Sequence, residues 1–280
     1  MLPVPSLAIS VMSTQTQTRN MALFCDFENI ALGVRDAKVP AFEIGKVLER
    51  LLLKGSIVVK KAYCDWQRYK EFKAAMHEAA FELIEIPHVR QSGKNSADIR
   101  MVVDALDLCY TKAHVDTFVI ISGDSDFSPL VSKLRENNKI VIGVGVKNAT
   151  SDLLIANCDE FIFYDDLVRD SDKQKPAKRK RPESKQAGKK EEKPEDVRRR
   201  EALDLVLETA AALFAERGEE EKVWGSMVKQ ALKRRKPGFS ESYHGFRSFS
   251  ELLEQAAEEK LLELQFDEKS GGYIVKRLLG

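Results

Sequence analysis

The segment TFVIISGDSDF, residues 117–127, is the clearest sign of a parallel sheet in this sequence. Its first five residues are apolar or β-branched, as in a buried strand, and Gly123 then permits the chain to leave that strand sharply. Asp124 and Asp126 follow at once. Acidic residues directly after a buried strand are typical of a ligand site at the carboxyl edge of a parallel sheet.

A second strand with an acidic exit lies near the start of the chain. Residues 21–25 read MALFC, and residues 26–29 continue with DFEN. Because parallel strands end at a common edge, we expect Asp26 to share a site with Asp124, with Asn29 about one turn from Asp26. Clustered carboxylates repel one another unless a cation joins them, and such oxygen ligands suit Mg²⁺ or Mn²⁺. The two exits predict metal-assisted chemistry on phosphates.

The segment 94–104, which reads KNSADIRMVVD, supplies further candidates. Ser96 is placed to cap a helix, and Asp98 then lies in the first turn, where the helix dipole also favours an acid. Asp104 is expected to face solvent or to pair with a base. Four side chains are predicted to contact substrate phosphates: Lys94, Arg100, Ser122 and Ser125.

Several of these residues also have purely structural interpretations. Asp26 could cap the segment that follows the first strand, and Asp126 is placed to cap the next helix, whereas Asp124 has no such alternative. Trp66 and Tyr69 could stack on unpaired bases or pack beneath a helix. The sequence leaves these alternatives open.

Apolar runs and amphipathic stretches alternate throughout residues 21–168. Strands are predicted at 21–25, 56–63, 82–86, 117–121, 140–145 and 161–164, and helices near 40–53, 66–80, 97–112, 127–138 and 151–157. This alternation favours an α/β fold in which a parallel sheet carries helices on both faces.

Charge sets the middle of the chain apart. Residues 169–200 hold 14 Lys or Arg against 7 Asp or Glu, although the net charge of the whole chain is only +1. Because this stretch also contains three prolines and few apolar residues, we predict a basic flexible linker at 169–197. Its charge is either simply solvated or an aid to nucleic-acid capture.

The helical period returns after this segment. Residues 198–280 contain three helical stretches, the second of which includes Trp224, and then two short apolar runs around a Gly-Gly turn at 271–272. Three helices followed by a hairpin predict a small α+β winged-helix domain.

Composition limits the setting of the protein. The four cysteines are widely spaced and form no paired motif, so we expect buried, reduced thiols. No apolar stretch approaches the roughly 20 residues that span a bilayer. Residues 1–20 are predicted to form a disordered tail rather than a signal peptide, and Met1, Met12 or Met21 could be the true start. A cytoplasmic protein without a membrane partner is expected.

The ordered set of acidic motifs resembles the NYN domain family, a branch of the PIN-like nucleases. The resemblance rests on residues 26–29, 96–98 and 122–127, and it covers about residues 21–168. It implies a Rossmann-like sheet and ribonuclease activity that depends on Mg²⁺ or Mn²⁺. It also implies an acidic site made of Asp26, Asp98, Asp124 and Asp126, with Asn29 in support.

Residues 199–277 look like the OST-type helix-turn-helix, also called the LOTUS domain. The resemblance rests on residues 224–233, 237–239 and 243–246, together with Phe249. It implies binding of RNA or of a protein partner.

We therefore expect a metal-dependent ribonuclease that hydrolyses single-stranded RNA and leaves 5′-phosphate and 3′-hydroxyl ends. The alternative is a non-catalytic RNA-binding adaptor that retains the fold. A haloacid-dehalogenase-like phosphatase is disfavoured because Glu28 stands where its second Asp would be. A phospho-receiver domain rests only on Lys147, which follows the fifth predicted strand.

Overall fold

The computed structural model describes residues 19–37, 42–86, 96–174, 194–217 and 222–279. The predicted N-terminal tail, most of the predicted basic linker and the candidate phosphate ligand Lys94 lie outside these residues.

A six-stranded parallel sheet forms the first part of the chain. Its strands are β1 (Arg19–Asp26), β2 (Gly55–Cys64), β3 (Glu82–Glu85), β4 (Thr117–Ile121), β5 (Ile140–Gly145) and β6 (Glu160–Phe163). Their order is β3-β2-β1-β4-β5-β6, and every neighbouring pair is parallel. The order reverses between β1 and β4, and in open sheets ligands bind at such a point, outside the carboxyl ends of the strands.

Helices cover both faces of this sheet, as the sequence predicts. One face carries α1 (Phe27–Asp36), α2 (Ile44–Leu52), α3 (Lys70–Glu78) and α7 (Tyr164–Gln174), and the other carries α4 (Ser96–Thr111), α5 (Ser128–Glu136) and α6 (Asp152–Asn157). Successive side chains of β1 point to opposite faces of the sheet and so belong to two different cores. Met21, Leu23 and Cys25 face one of them, and Ala22 and Phe24 face the other.

Two helices of this part of the chain were not expected from the sequence. Helix α1 begins directly after Asp26 and contains Gly33, which weakens its helical pattern. That glycine is accommodated because Val146 and Ala149 pack closely against it. Helix α7 extends into the segment predicted as linker.

The C-terminal part forms a smaller unit with its own core. It contains α8 (Pro194–Arg217), β7 (Val223–Trp224), α9 (Gly225–Arg235), α10 (Phe249–Glu258), β8 (Leu262–Asp267) and β9 (Gly272–Leu278). The three strands form an antiparallel sheet in the order β7-β9-β8. Trp224 lies in β7 rather than in the second helix, because it pairs with Ile274. Pro194 opens α8 although the sequence suggested a break there; a proline is tolerated at the first helical position, where its missing N–H is not needed.

The predicted character of the cysteines is confirmed. Cys25, Cys64, Cys109 and Cys158 are all buried and free. Among the described helices, none is long and apolar enough to cross a membrane.

Candidate active site

The side chain of Asp26 connects the ends of the two central strands. Asp26 is the last residue of β1 and is only 8% exposed. One carboxylate oxygen accepts a hydrogen bond from the Ser122 hydroxyl, just after β4, at 3.0 Å. The other accepts the backbone N–H of Asn29 at 3.4 Å, so Asp26 also caps α1. The carboxylate is therefore fixed at the point where the strand order reverses.

Asn29 strengthens the same connection. Its side-chain oxygen accepts the backbone N–H of Gly123 at 2.8 Å. The N–H of the next residue, Asp124, points to the Ser122 hydroxyl at 3.2 Å. Asn29 thus positions the backbone that carries Asp124.

The structure reverses the capping roles expected after β4. Asp124 caps the short 3₁₀ turn Ser125–Phe127, and its carboxylate accepts the N–H of Asp126 at 2.9 Å. Helix α5 begins after Phe127 without a side-chain cap, so Asp126 does not cap it. The side chain of Asp126 is exposed at the mouth of this edge. The interpretation of Asp126 as a helix cap was wrong, because the 3₁₀ turn separates it from α5.

The acids from different elements lie close enough to raise one another's pKa. The pKa of Asp26 is raised to about 7, mainly by burial. The charges of Asp98 and Asp124 contribute to this rise, and hydrogen bonds from Asn29 and Ser122 oppose it. Burial likewise raises the pKa of Asp98, and Asp124, Asp126 and Glu28 add to that rise. Four predicted acids, from β1, α4 and the segment after β4, therefore act on one another.

Glu28 is a neighbour of this site that sequence reasoning did not select. Its charge acts on Asp98, and its carboxylate pairs with Arg68 at 3.0 Å. Glu28 lies two residues after Asp26, so the acidic motif at residues 26–29 already contained it.

The neighbours of Asp98 are engaged in a separate network. Asp98 lies in the first turn of α4, as expected. Arg100 pairs with Asp104 at 3.1 Å, and Asp104 also accepts the Tyr63 hydroxyl at 2.9 Å and lies 3.4 Å from Lys61. The predicted pairing of Asp104 with bases is confirmed, and it holds the Arg100 guanidinium in this structure.

The aromatic residues after β2 serve packing. Trp66 is 1% exposed, its ring nitrogen donates to the carbonyl of Ile84 at 3.1 Å, and its ring lies against Phe27. Tyr69 packs against the edge of the same phenylalanine. Trp66 is therefore unable to stack on an unpaired base in this structure.

The chemistry of the acids fits a hard divalent cation. All four would offer carboxylate oxygens, and a cation would relieve the repulsion that raises the pKa of Asp26. Within the described ranges, no three His, Cys, Asp or Glu side chains converge as a preformed ion site. Mg²⁺ usually binds through one or two carboxylates and keeps several waters, so this donor set fits it without such a cage.

Two curated relatives each match part of the chain. An uncharacterized protein of Methanocaldococcus jannaschii is 28% identical over 112 residues, which are 40% of this chain and 43% of that protein. Meiosis regulator and mRNA stability factor 1 of Xenopus tropicalis is 25% identical over 166 residues, which are 59% of this chain and 10% of that protein. The chain thus spans less than half the length of either relative.

One solved structure and one protein family also match this chain. The crystal structure of a protein of unknown function from Vibrio parahaemolyticus superposes with a TM-score of 0.48 and 26% identity, covering 54% of this chain and 96% of that one. The NYN domain matches residues 20–165, which contain all four acids and the parallel sheet except for Arg19, the first residue of β1. Because that match covers more than half of the 280 residues, this chain belongs to the NYN domain family.

Proposed function

We propose that this protein is a divalent-metal-dependent ribonuclease whose active site is formed by Asp26, Asp98, Asp124 and Asp126. The observation that carries the proposal is the buried carboxylate of Asp26, fixed between β1 and β4 and repelled by Asp98 and Asp124. NYN domains are generally ribonucleases, which supports a nuclease at the coarse level.

The four acids have different supporting roles in this proposal. Asp26 and Asp124 would hold Mg²⁺ or Mn²⁺ most firmly. Ser122 and Asn29 donate hydrogen bonds to Asp26, and their side chains accept the N–H groups of Asp124 and Gly123. Asp98 and Asp126 would complete the set from α4 and the 3₁₀ turn. The bound cation would supply charge neutralisation of the phosphate and activation of water.

Fixed positions matter here because phosphoryl transfer rewards alignment and charge neutralisation more than covalent catalysis. The Ser122 hydroxyl donates to Asp26, so this residue would orient the acid rather than touch the substrate. Ser125 would contact a substrate phosphate from the 3₁₀ turn. Arg100 would do so by exchanging Asp104 for the phosphate, which its 58% side-chain exposure permits. Lys94 is proposed from its place in the sequence alone.

RNA is the proposed substrate, and the cytoplasm is the proposed location. The name of the Xenopus tropicalis relative refers to mRNA stability. The C-terminal three-helix unit resembles the OST-type helix-turn-helix, so we assign RNA or protein binding to residues 199–277 as part of the same proposal. The divisions at residues 21–168, 169–197 and 198–280 remain predictions.

The test compares Asp124→Asn with Asp107→Asn. Both remove one negative charge, but Asp107 is an exposed residue of α4 outside the acid site. With single-stranded RNA and Mg²⁺ or Mn²⁺, we expect wild type and Asp107→Asn to yield 5′-phosphate ends and Asp124→Asn to lose about 10²-fold or more in rate. EDTA should stop all cleavage. Undiminished cleavage by pure, folded Asp124→Asn protein would exclude this site.

A non-catalytic RNA-binding adaptor is the second candidate. It is favoured by the separate core of the C-terminal unit, which would let residues 199–277 recruit RNA or a protein partner without chemistry at the acids. In that case wild-type protein would retain RNA without cleaving it under any metal condition, and Asp124→Asn would bind RNA no less tightly than wild type.

A further inference from the structure

Three cations converge on one aromatic ring where the C-terminal unit meets the parallel sheet. The ring is that of Tyr243, between α9 and α10. Lys147 Nζ lies 3.2 Å from its centroid, and the guanidinium carbons of Arg198 and Arg169 lie 5.1 and 5.2 Å away. Lys147 follows β5, Arg169 lies in α7 and Arg198 in α8, so this cluster draws on both parts of the chain.

The positive charge of this cluster is only partly balanced. Arg169 pairs with Asp166 at 2.9 Å. Among the described residues, no carboxylate forms an ion pair with Lys147 or Arg198. The neutral ring attracts each cation by only about 0.5–1 kcal/mol at a partly exposed site, and it does not remove their mutual repulsion.

The neighbouring His244 responds to the same charges. Its Nδ1 lies 2.9 Å from the carbonyl of Arg198, and its ring meets Tyr243 edge-on. Burial lowers the pKa of His244, and the positive charges of Lys147 and Arg198 lower it further. The hydrogen bond to the Arg198 carbonyl and the charge of Glu201 act in the opposite direction. Lys147 and Arg198 thus create a positive potential at His244 that Glu201 opposes, and the Asp165 carboxylate accepts the backbone N–H of Lys147 at 2.8 Å.

The cluster adjoins the edge of the sheet that carries the acids. Lys147 begins the turn after β5, and that turn packs on the exit of β4. The Ser151 N–H donates to the carbonyl of Gly123 at 2.9 Å, and the carbonyl of Ala149 lies 2.2 Å from the position of a Cβ on Gly123. The turn that begins at Lys147 therefore lies directly beside the backbone that leads into Asp124.

Docking of the C-terminal unit places Tyr243 in the cluster. The Phe161 N–H, on the outer edge of β6, donates to the carbonyl of Pro237 at 3.0 Å. Glu160 accepts from Lys54 at 2.8 Å and lies 3.4 Å from Lys233 in α9. Contacts at the end of α9 and at the start of the loop that follows it therefore direct this loop toward Lys147.

We propose that Lys147 and Arg198, on either side of Tyr243, form a phosphate-binding subsite for the RNA strand that extends beyond the acid site. This inference rests on the proposed function for the identity of the polymer. Both residues are half-buried rather than fully enclosed, and long basic side chains commonly pack their aliphatic stems while the charged end faces solvent, where a phosphate would bind. The subsite exists only when the two parts of the chain are docked, which would make RNA length a determinant of affinity.

The test measures binding without cleavage. Full-length wild type, Lys147→Met, Arg198→Met and the double variant are titrated in EDTA with long and short single-stranded RNAs over a range of salt. Methionine keeps the packing of the aliphatic stem and removes the charge. The matched control is Lys112→Met, which removes the same charge from the loop before β4, at the opposite edge of the sheet.

We expect each single variant to weaken binding of the long RNA several-fold and to reduce the salt slope by about 0.7 per lost phosphate contact. The loss should be smaller for the short RNA, and Lys112→Met should match wild type. Lys147→Arg, which retains the positive charge, should bind the long RNA as wild type does. An unchanged Kd and salt slope in the double variant would overturn the proposal.

The binding test of the cation cluster and the cleavage test of the acid site can fail independently. Cleavage by Asp124→Asn tests the acid site in the presence of metal, whereas the Kd in EDTA tests the cation cluster without chemistry. If RNA is cleaved but the double variant binds it normally, the subsite alone fails. If the cluster binds RNA but no cleavage occurs, the ribonuclease assignment fails and the subsite stands.

Discussion

At the scale of single residues, Asp26 combines burial with repulsion in a way that costs stability. Its carboxylate receives two hydrogen bonds, yet its pKa is raised to about 7 from an ordinary value of 3.8. The folded state therefore holds a proton on this group more tightly than the unfolded state does. Stability is lost as the pH rises from about 4 to 7, and stays lost above it.

The first prediction is that Asp26→Asn stabilises the metal-free protein. An amide keeps one acceptor oxygen and removes the charge, so at pH 8 the free energy of unfolding should rise by about 2–4 kcal/mol, from the 1.36 kcal/mol that each pKa unit represents. Urea unfolding in EDTA across pH 4 to 8 checks this. Wild type should fall below the variant as the pH rises, and parallel pH profiles would contradict the expectation.

The same residue shows what the sequence could predict about the site. The ends of β1 and β4 could be predicted because an acid follows each apolar run. In the structure Asp26 and Ser122 form a hydrogen bond there. The pairing of Arg100 with Asp104 was harder to predict, because a helix face offers several partners at similar spacing. The contact of Lys147 with Tyr243 was beyond prediction, because it joins residues far apart in the chain.

At the scale of elements, the sequence predicts strands better than helices. All six strands of the parallel sheet lie where apolar runs placed them, because each run is bounded by polar or turn-forming residues. Helix α1 was missed because no turn separates it from β1. Helix α7 was missed because its sequence is mostly charged; among its described side chains Tyr164, Leu167 and Val168 pack on the core.

The exit of β4 gives a prediction at this scale. Gly123 is needed for space rather than for an unusual φ, because a Cβ there would lie 2.2 Å from the backbone oxygen of Ala149. Gly123→Ala should push the turn after β5 away from β4 and loosen the bond from Gly123 to Asn29. We expect a loss of about 1–3 kcal/mol in the free energy of unfolding, with a fall in RNA cleavage.

Gly45→Ala is the matched control for this change. Gly45 lies in α2, and a Cβ there would meet no atom within 4 Å. Alanine should therefore stabilise the protein by about 0.5–1 kcal/mol and leave cleavage unchanged. Chemical denaturation of both variants decides the matter: similar stability changes at the two glycines would show that the approach of Ala149 does not constrain β4.

At the scale of the whole molecule, polar contacts join the two parts of the chain. Glu160 lies between Lys54 and Lys233, and the side chains of these three residues are only 16–27% exposed. A cavity of about 380 Å³ lies beside them, lined by residues of both parts, including Arg50, Leu53 and Ser240. The cavity interrupts the packing at this junction, so the ion pairs beside it are a part of the docking that can be tested separately.

Charge balance at Glu160 gives the prediction at this scale. Burial alone would raise the pKa of Glu160, but Lys233 and Lys54 outweigh it and hold that pKa below its usual value. Glu160→Gln leaves two half-buried ammonium groups without their counter-charge. We expect docking to weaken by about 1–3 kcal/mol, less than for a fully buried pair because solvent screens part of the interaction.

Two measurements check this loss of docking. Calorimetry should show the C-terminal unit of Glu160→Gln unfolding in a separate, lower transition, and hydrogen exchange at the Phe161 amide should accelerate, because its acceptor, the Pro237 carbonyl, moves away. Glu263→Gln is the control, since it removes an exposed pair with Arg277 within the C-terminal sheet. If Glu160→Gln and Glu263→Gln unfold alike and Phe161 keeps its protection, the two parts are held together by contacts other than this ion-pair network.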